Sequence, residues 1–80
     1  PAVSTPEHAL EAQDLAESLN RFLEALPREK RVLFVQRYWY LRSVEELAAM
    51  HGMRKNTAAS TLFRLRKQLR EHLKKEGFAV

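Results

Sequence analysis

The sequence of 80 residues lacks cysteine, and it contains only two glycines and three prolines. Without cysteine, disulfide bonds and thiolate metal sites are excluded, and a reducing compartment is compatible. No apolar run has the length of a membrane span, and no signal-peptide pattern is present. Internal repeats and glycine-rich phosphate loops are also lacking. We therefore expect one small domain that works in the cytoplasm.

Residues suited to catalysis or metal binding are few and scattered. His8, His51 and His72 fall on three different predicted helices without the close spacing of a zinc site, and we interpret them as surface histidines. Glu45 and Glu46 are neighbours on one helix and do not face each other, which makes them a poor acid–base pair. We predict that the chain is not an enzyme and that it binds no cofactor and no metal.

The charge of the chain is divided along its length. Residues 1–27 carry five acidic residues and one basic residue, a net charge of −4. Residues 28–80 carry thirteen basic and five acidic residues, a net charge of +8. A basic half of this kind attracts polyanions and binds them in a salt-dependent way, although a basic helix face can also be merely solvated.

Local signals predict four helices. Thr5 is a typical helix cap with Pro6 at the first helical position, Pro27 separates the first helix from the second, and Gly52 ends the third. The chain begins with Pro1, and we expect it to be a fragment of a longer protein. The predicted helices cover residues 6–26, 28–40, 44–51 and 55–75 of a domain at 6–76, with a disordered linker remnant at 1–5 and a C-terminal tail at 77–80.

The most informative stretch begins at a capping box, Ser43-Val44-Glu45-Glu46. The Ser43 hydroxyl can accept from the backbone N–H three residues on, while the Glu46 carboxylate reaches back. The helix that follows has barely two turns before Gly52 and must be held by its neighbours. A long basic helix comes next. This order of short helix, glycine turn and long basic helix is that of a DNA-reading helix-turn-helix.

The long helix has two faces. At about 100° per residue, its apolar stripe lies opposite an outward face with cations along both flanks. Hydrogen-bonding groups near the N-terminus and cations along the sides suit base edges and phosphates, respectively. The stripe comprises Ala58, Leu62, Leu65, Leu69 and Leu73, the outward face Asn56, Ser60, Phe63 and Lys67, and the flanks Arg64, Arg66 and Arg70.

Several side chains leave alternatives open. Phe63 either packs on the flank of the preceding helix or contacts a thymine methyl, and we favour a DNA role for Arg64. Arg37 and Arg42, close to the turn, are candidate phosphate contacts. The apolar run from Val32 to Val35 predicts that the second helix is the centre of the bundle, and we expect Trp39 and its tyrosine neighbours to form core and rim packing.

Residues 14–75 resemble region four of bacterial sigma factors, most closely the extracytoplasmic-function group. The resemblance is carried by Leu26-Pro27, Arg31-Val32, Arg37-Tyr38, Ser43-Val44-Glu45-Glu46-Leu47-Ala48, Gly52, Thr57, Ser60, Leu62-Phe63-Arg64, Arg66, Leu69-Arg70 and Leu73. It implies an all-α fold, a small four-helix bundle containing a helix-turn-helix, of the winged-helix-like superfamily without a wing. It also implies recognition of the minus-thirty-five promoter element and docking on the β flap of RNA polymerase core.

The resemblance also implies which residues face DNA. Base-facing and phosphate-facing positions fall on Lys55, Asn56, Ala59, Ser60, Phe63 and Arg64, with Ser43 near a phosphate. Lys67, Arg37 and Arg42 complete the predicted DNA-binding surface.

Four positions depart from the expected pattern. Ala59 stands where Arg or Lys is usual, Thr61 where Arg is usual, and Ala58 replaces a β-branched core residue. Because a cation is lost at position 59, we expect the promoter read here to differ from the common one. Arg54 occupies the N-cap of the long helix, where Ser or Thr would accept a hydrogen bond. Either Asn56 compensates in part or the helix starts later.

The partners implied are promoter double-stranded DNA, RNA polymerase core and an anti-sigma factor, with no membrane, and we expect a monomer. One alternative is a protein-interaction module whose helix-turn-helix has lost DNA binding, which Ala59 would permit. Another is a response-regulator-type output domain, whose opening helix resembles Leu26-Pro27-Arg28-Glu29. The glycine usual before its helix-turn-helix is absent here, and Arg64-Leu65-Arg66 suits the sigma pattern better.

Overall fold

The computed structural model describes residues 6–79, with side chains from residue 11 onward. Its four α-helices are α1 (Pro6–Ala25), α2 (Arg28–Tyr38), α3 (Val44–His51) and α4 (Lys55–Lys75). No strand occurs in this part of the chain, so the predicted all-α fold is confirmed. Within the same residues, no helix is long and apolar enough to cross a membrane. The predicted linker remnant and its cap, Thr5, lie outside the described residues.

The last helix, α4, is the centre of the bundle, because it packs against each of the other three. The prediction that α2 lies at the centre is wrong. In α2 only Leu33 and Phe34 are buried, whereas Val32 is 37% exposed and Val35 is half-buried. Successive side chains on a helix point about 100° apart, so these two neighbours reach different parts of the core.

The core therefore has two clusters. One joins α1, α2 and α4, and its two phenyl rings, Phe22 and Phe34, meet edge to face at 5.9 Å. The other joins α2, α3 and α4 and fixes α3 against the long helix. Buried members of the first cluster are Phe22, Leu26, Phe34 and Leu65, and those of the second are Leu33, Leu47 and Leu62.

The helix-turn-helix forms as its local signals predict. The Ser43 Oγ accepts from the Glu46 N–H at 3.0 Å, and the Glu46 carboxylate accepts from the Ser43 N–H at 2.9 Å, so the capping box is confirmed. Gly52 has a φ of 62°, in the left-handed region that glycine enters without strain. Next to it, the Met53 N–H donates to the Ala48 carbonyl at 2.9 Å. This turn leads from α3 into α4, which packs against α3.

The end of α2 differs from the prediction. The helix stops at Tyr38, two residues before the expected end, and Leu41 then takes a positive φ of 54°. Tyr40 is 70% exposed, so its assignment to core and rim packing is wrong. Trp39 is 52% exposed, and its ring centroid lies 6.4 Å from that of Phe34. Tyr40 therefore projects from the bundle, whereas Trp39 and Tyr38 pack at the rim of the core as predicted, with the Tyr38 ring 4.7 Å from that of Phe34.

Two histidines join helices, which corrects their interpretation as surface residues. His72 Nε2 donates to the Ser18 carbonyl at 2.8 Å and lies 3.1 Å from the Ser18 hydroxyl, which is fully buried. His51 Nε2 donates to Gln36 Oε1 at 2.7 Å. The side chain of His8 lies outside the described part of the chain. Ser18 and His72 thus tie α1 to α4.

Candidate nucleic-acid interface

The two faces of α4 are arranged as the periodicity predicts. Ala58, Leu62 and Leu65 are buried and Leu69 and Leu73 are half-buried, which confirms the apolar stripe. The opposite face is open to solvent from the first turn onward. Its exposed residues are Asn56, Ala59, Ser60, Phe63, Arg64, Arg66, Lys67 and Arg70.

Phe63 is the large apolar residue of this face. It is 66% exposed, so the interpretation that it packs on the flank of α3 is wrong. The phenyl ring lines a shallow depression with Ala59, Ser60 and Arg64. A phenylalanine in this position forgoes much of the roughly 2 kcal/mol that burial would contribute. The ring is therefore available to an apolar group of a ligand.

The cations of the exposed face of α4 have no acidic partner among residues 11–79. The ion pairs found among these residues involve other side chains and leave the four cations of this face without an acidic partner. Unpaired charges on one helix give a positive potential that reaches about 10 Å at moderate salt. These cations are Arg64, Arg66, Lys67 and Arg70.

Three other predicted cations each have a partner within the domain: Lys55 at the start of α4, and Arg37 and Arg42 around the turn between α2 and α3. Lys55 Nζ lies 3.0 Å from the Glu45 carboxylate, and Arg42 lies 3.5 Å from the Glu46 carboxylate. Arg37 donates to the Arg42 carbonyl at 2.9 Å and so stabilises the turn after α2. These ion pairs and the Arg37 hydrogen bond were not predicted from the sequence.

The start of α4 follows the predicted position. The helix begins at Lys55, so the alternative of a later start is wrong. Arg54 is the N-cap residue and makes no side-chain cap bond. Ser43, at the start of α3, uses its hydroxyl oxygen as the cap acceptor, and the Ser43 N–H holds the pKa of the Glu46 carboxyl below its usual value.

A short capped helix held by core residues, a left-handed glycine turn and a long helix with a cationic outward face form a helix-turn-helix suited to duplex DNA. Comparison with known protein families matches residues 16–69 to sigma-70, region 4. The chain belongs to the sigma-70 region 4 family. No curated protein and no solved structure gives a significant match.

Region 4 is a DNA-binding, regulatory helix-turn-helix domain of sigma factors, which act in transcription initiation, and it is not a known enzyme family. Members of the family in general recognise the minus-thirty-five promoter element and dock on RNA polymerase. The match runs through α2, α3 and most of α4, so it contains the exposed residues up to Lys67. In the described part of this region 4 domain, no three His, Asp or Glu side chains lie close enough to hold a metal ion.

A second surface of the region 4 domain was not predicted from the sequence. An apolar groove runs between α1, the end of α2 and the C-terminal half of α4. We call it the aromatic groove, and it is lined by Leu19, Phe34, Tyr38, Trp39, Leu69 and Leu73 together with Arg66 and Arg70. The aromatic residues at the end of α2 are the one sequence feature that could have indicated this groove, but their hydrophobicity predicts packing in the core.

Proposed function

We propose that this chain is the promoter-binding domain of a sigma factor of the extracytoplasmic-function type. In this proposal residues 6–76 act as one domain, α4 lies in the major groove of the minus-thirty-five element, and the domain docks on the β flap of RNA polymerase. The exposed face of α4 carries the proposal. It presents Ser60 and Phe63 ahead of the unpaired cations Arg66 and Arg70. Base edges are read by groups near the N-terminus of a recognition helix, and phosphates are held by cations around it.

Specific roles follow from the chemistry of the exposed side chains. Phe63 suits the methyl group of thymine, which is the apolar feature of the major groove. Arg64, beside it, suits the O6 and N7 acceptors of guanine or a phosphate. Asn56 and Ser60 supply polar contacts in the first turns, while Lys67 holds the backbone.

Ala59 gives this domain a distinct preference. It lies on the exposed face beside Ser60 and Phe63, where its methyl group offers no hydrogen bond. A bidentate cation at this position would contribute about 1–3 kcal/mol of discrimination between bases. We propose that the base opposite Ala59 is selected by shape and apolar contact, so the promoter differs from the usual one at that position.

Selection of bound duplexes from a random library by the 80-residue chain tests this proposal. At low and near-physiological salt, we expect one short motif to be enriched. Arg64→Ala should bind the selected duplex about tenfold or more weakly and lose preference at one base pair, because a lost bidentate contact costs about 1–3 kcal/mol.

Lys74→Ala is the matched control, because Lys74 also lies on α4 but pairs with Glu71 at 3.7 Å. Its substitution should leave the base preference unchanged. Equal losses for Arg64→Ala on selected and random duplexes would show that Arg64 does not read a base.

The aromatic groove is our proposed docking site for polymerase. Apolar walls with two arginines suit an amphipathic helix whose apolar stripe is flanked by acidic residues. Phe63 and Arg64 lie outside the groove lining, so base reading and docking use different residues, while Arg66 and Arg70 border both surfaces.

A further inference from the structure

An acidic side chain stands at the N-terminal end of the recognition helix. Lys55 is the first residue of α4, and its Nζ lies 3.0 Å from the Glu45 carboxylate on α3. Both side chains are 65% exposed. An exposed pair of this kind contributes only about 0–1 kcal/mol, so a competing anion can displace the carboxylate.

The surroundings of Lys55 are otherwise positive. Arg54 precedes it as the N-cap residue, and the first turn of α4 contains no acidic residue. The helix dipole adds a partial positive charge at the same end, where a lysine is unfavourable for helix stability. Helix stability therefore does not explain why a lysine stands here, but the binding of an anion would.

We propose that Glu45 is an affinity-tuning residue, whose carboxylate competes with DNA phosphate for Lys55 and lowers the sequence-independent affinity of the domain. This inference rests on the proposed function. A phosphate that takes Lys55 leaves the Glu45 charge facing the duplex, and the repulsion offsets the new contact. Without Glu45, Lys55 is free to neutralise one phosphate and release its counterion.

Glu46 and Arg42 form a second exposed pair of an acidic and a basic side chain. Only Glu45 can be replaced without disturbing the fold. Glu46 lies 3.5 Å from Arg42, yet its carboxylate also accepts from the Ser43 N–H in the capping box. Replacing Glu46 would therefore weaken the start of α3. Glu45 makes no cap bond in the described structure, so its neutral variant should keep the fold.

The test compares the 80-residue chain with Glu45→Gln, using fluorescence anisotropy on the selected duplex and on a random duplex. Glu45→Gln should bind both duplexes several-fold more tightly at 50 mM NaCl. Its plot of log affinity against log salt should be steeper by about 0.9, so the gain should shrink about three- to fourfold at 200 mM. Circular dichroism checks that the helices are retained. Glu24→Gln makes the same change in net charge on α1 and should leave the slope unchanged.

A second variant separates competition from a general charge effect. Lys55→Met should weaken binding more in the Glu45→Gln background than in the native chain, because only there is Lys55 free for phosphate. An unchanged or lower affinity of Glu45→Gln, or an equal effect of Lys55→Met in both backgrounds, would overturn the inference. If the native chain enriches a motif but the slopes agree, this inference alone fails. If the native chain binds neither duplex, the proposed function fails as well.

Discussion

Leu41 adopts a backbone conformation that is unfavourable for leucine. Its φ of 54° lies in the left-handed region, where the Cβ atom approaches the following carbonyl oxygen. Its side chain is 79% exposed, so burial returns little of this cost. The residue joins α2 to the capping box of α3, and Arg37 stabilises the same turn by donating to the Arg42 carbonyl. The backbone strain at Leu41 arises because the turn requires a positive φ at a position that is not glycine.

We expect Leu41→Gly to raise the free energy of unfolding by up to about 1 kcal/mol, because glycine enters this region without steric cost. Urea denaturation measures the change as a higher midpoint with an unchanged slope. Tyr40→Gly is the control, since Tyr40 is also exposed but has a negative φ, and it should lose about 0.5–1 kcal/mol. A loss of stability in Leu41→Gly would show that its side chain contributes packing.

Among the elements, those with local signals could be predicted from the sequence. Ser43 and Glu46 specify the start of α3 within four residues, and Gly52 specifies its end, because each acts on the neighbouring backbone. The exposed face of α4 followed from periodicity alone. The pairing of Lys55 with Glu45 could not be predicted in this way, because it depends on how α3 crosses α4.

The position of α2 shows the limit of composition. A run of four apolar residues indicates burial on several sides, but only Leu33 and Phe34 are buried, each in a different core cluster. The hydrophobicity of the aromatic residues that follow α2 likewise predicts burial. Trp39 instead lines the aromatic groove, which forms only where α1, the end of α2 and α4 come together.

The aromatic groove yields a prediction that separates two interfaces. Trp39→Ala should weaken binding of an isolated β flap fragment about tenfold or more, because a tryptophan at an interface centre commonly contributes 2 kcal/mol or more. Binding of the selected duplex should not change. Tyr40→Ala provides the control, since Tyr40 is exposed beside Trp39 but does not line the groove. Equal effects of the two substitutions on flap binding would place docking elsewhere.

Across the whole molecule, a polar network links the first helix to the end of the last. The His72 ring donates to the Ser18 carbonyl, and Arg21 forms an ion pair with Glu76, the C-cap residue of α4. Arg21 is the one basic residue among residues 1–27, which are otherwise acidic, and Glu76 belongs to the basic remainder of the chain, so each partner carries the minority charge of its segment. The Arg21 guanidinium, and then the Ser18 hydroxyl, hold the pKa of the Glu76 carboxyl below its usual value of 4.5.

The ion pair between Arg21 and Glu76 makes the free energy of unfolding depend on pH in the acidic range. Because the folded pKa of Glu76 is lowered, the unfolded chain binds more protons below pH 4.5, and stability falls as the pH drops through the folded value. The contribution is fully present above pH 4.5. Arg21→Gln removes the largest cause of the lowered pKa, so the free energy of unfolding of the variant should decline less steeply than that of the native chain between about pH 5 and pH 3. Urea denaturation across this range measures both slopes.

Some acid sensitivity should persist in the variant, because the Ser43 N–H still lowers the pKa of Glu46. Parallel curves for the two proteins would show that Arg21 and Glu76 do not interact in solution.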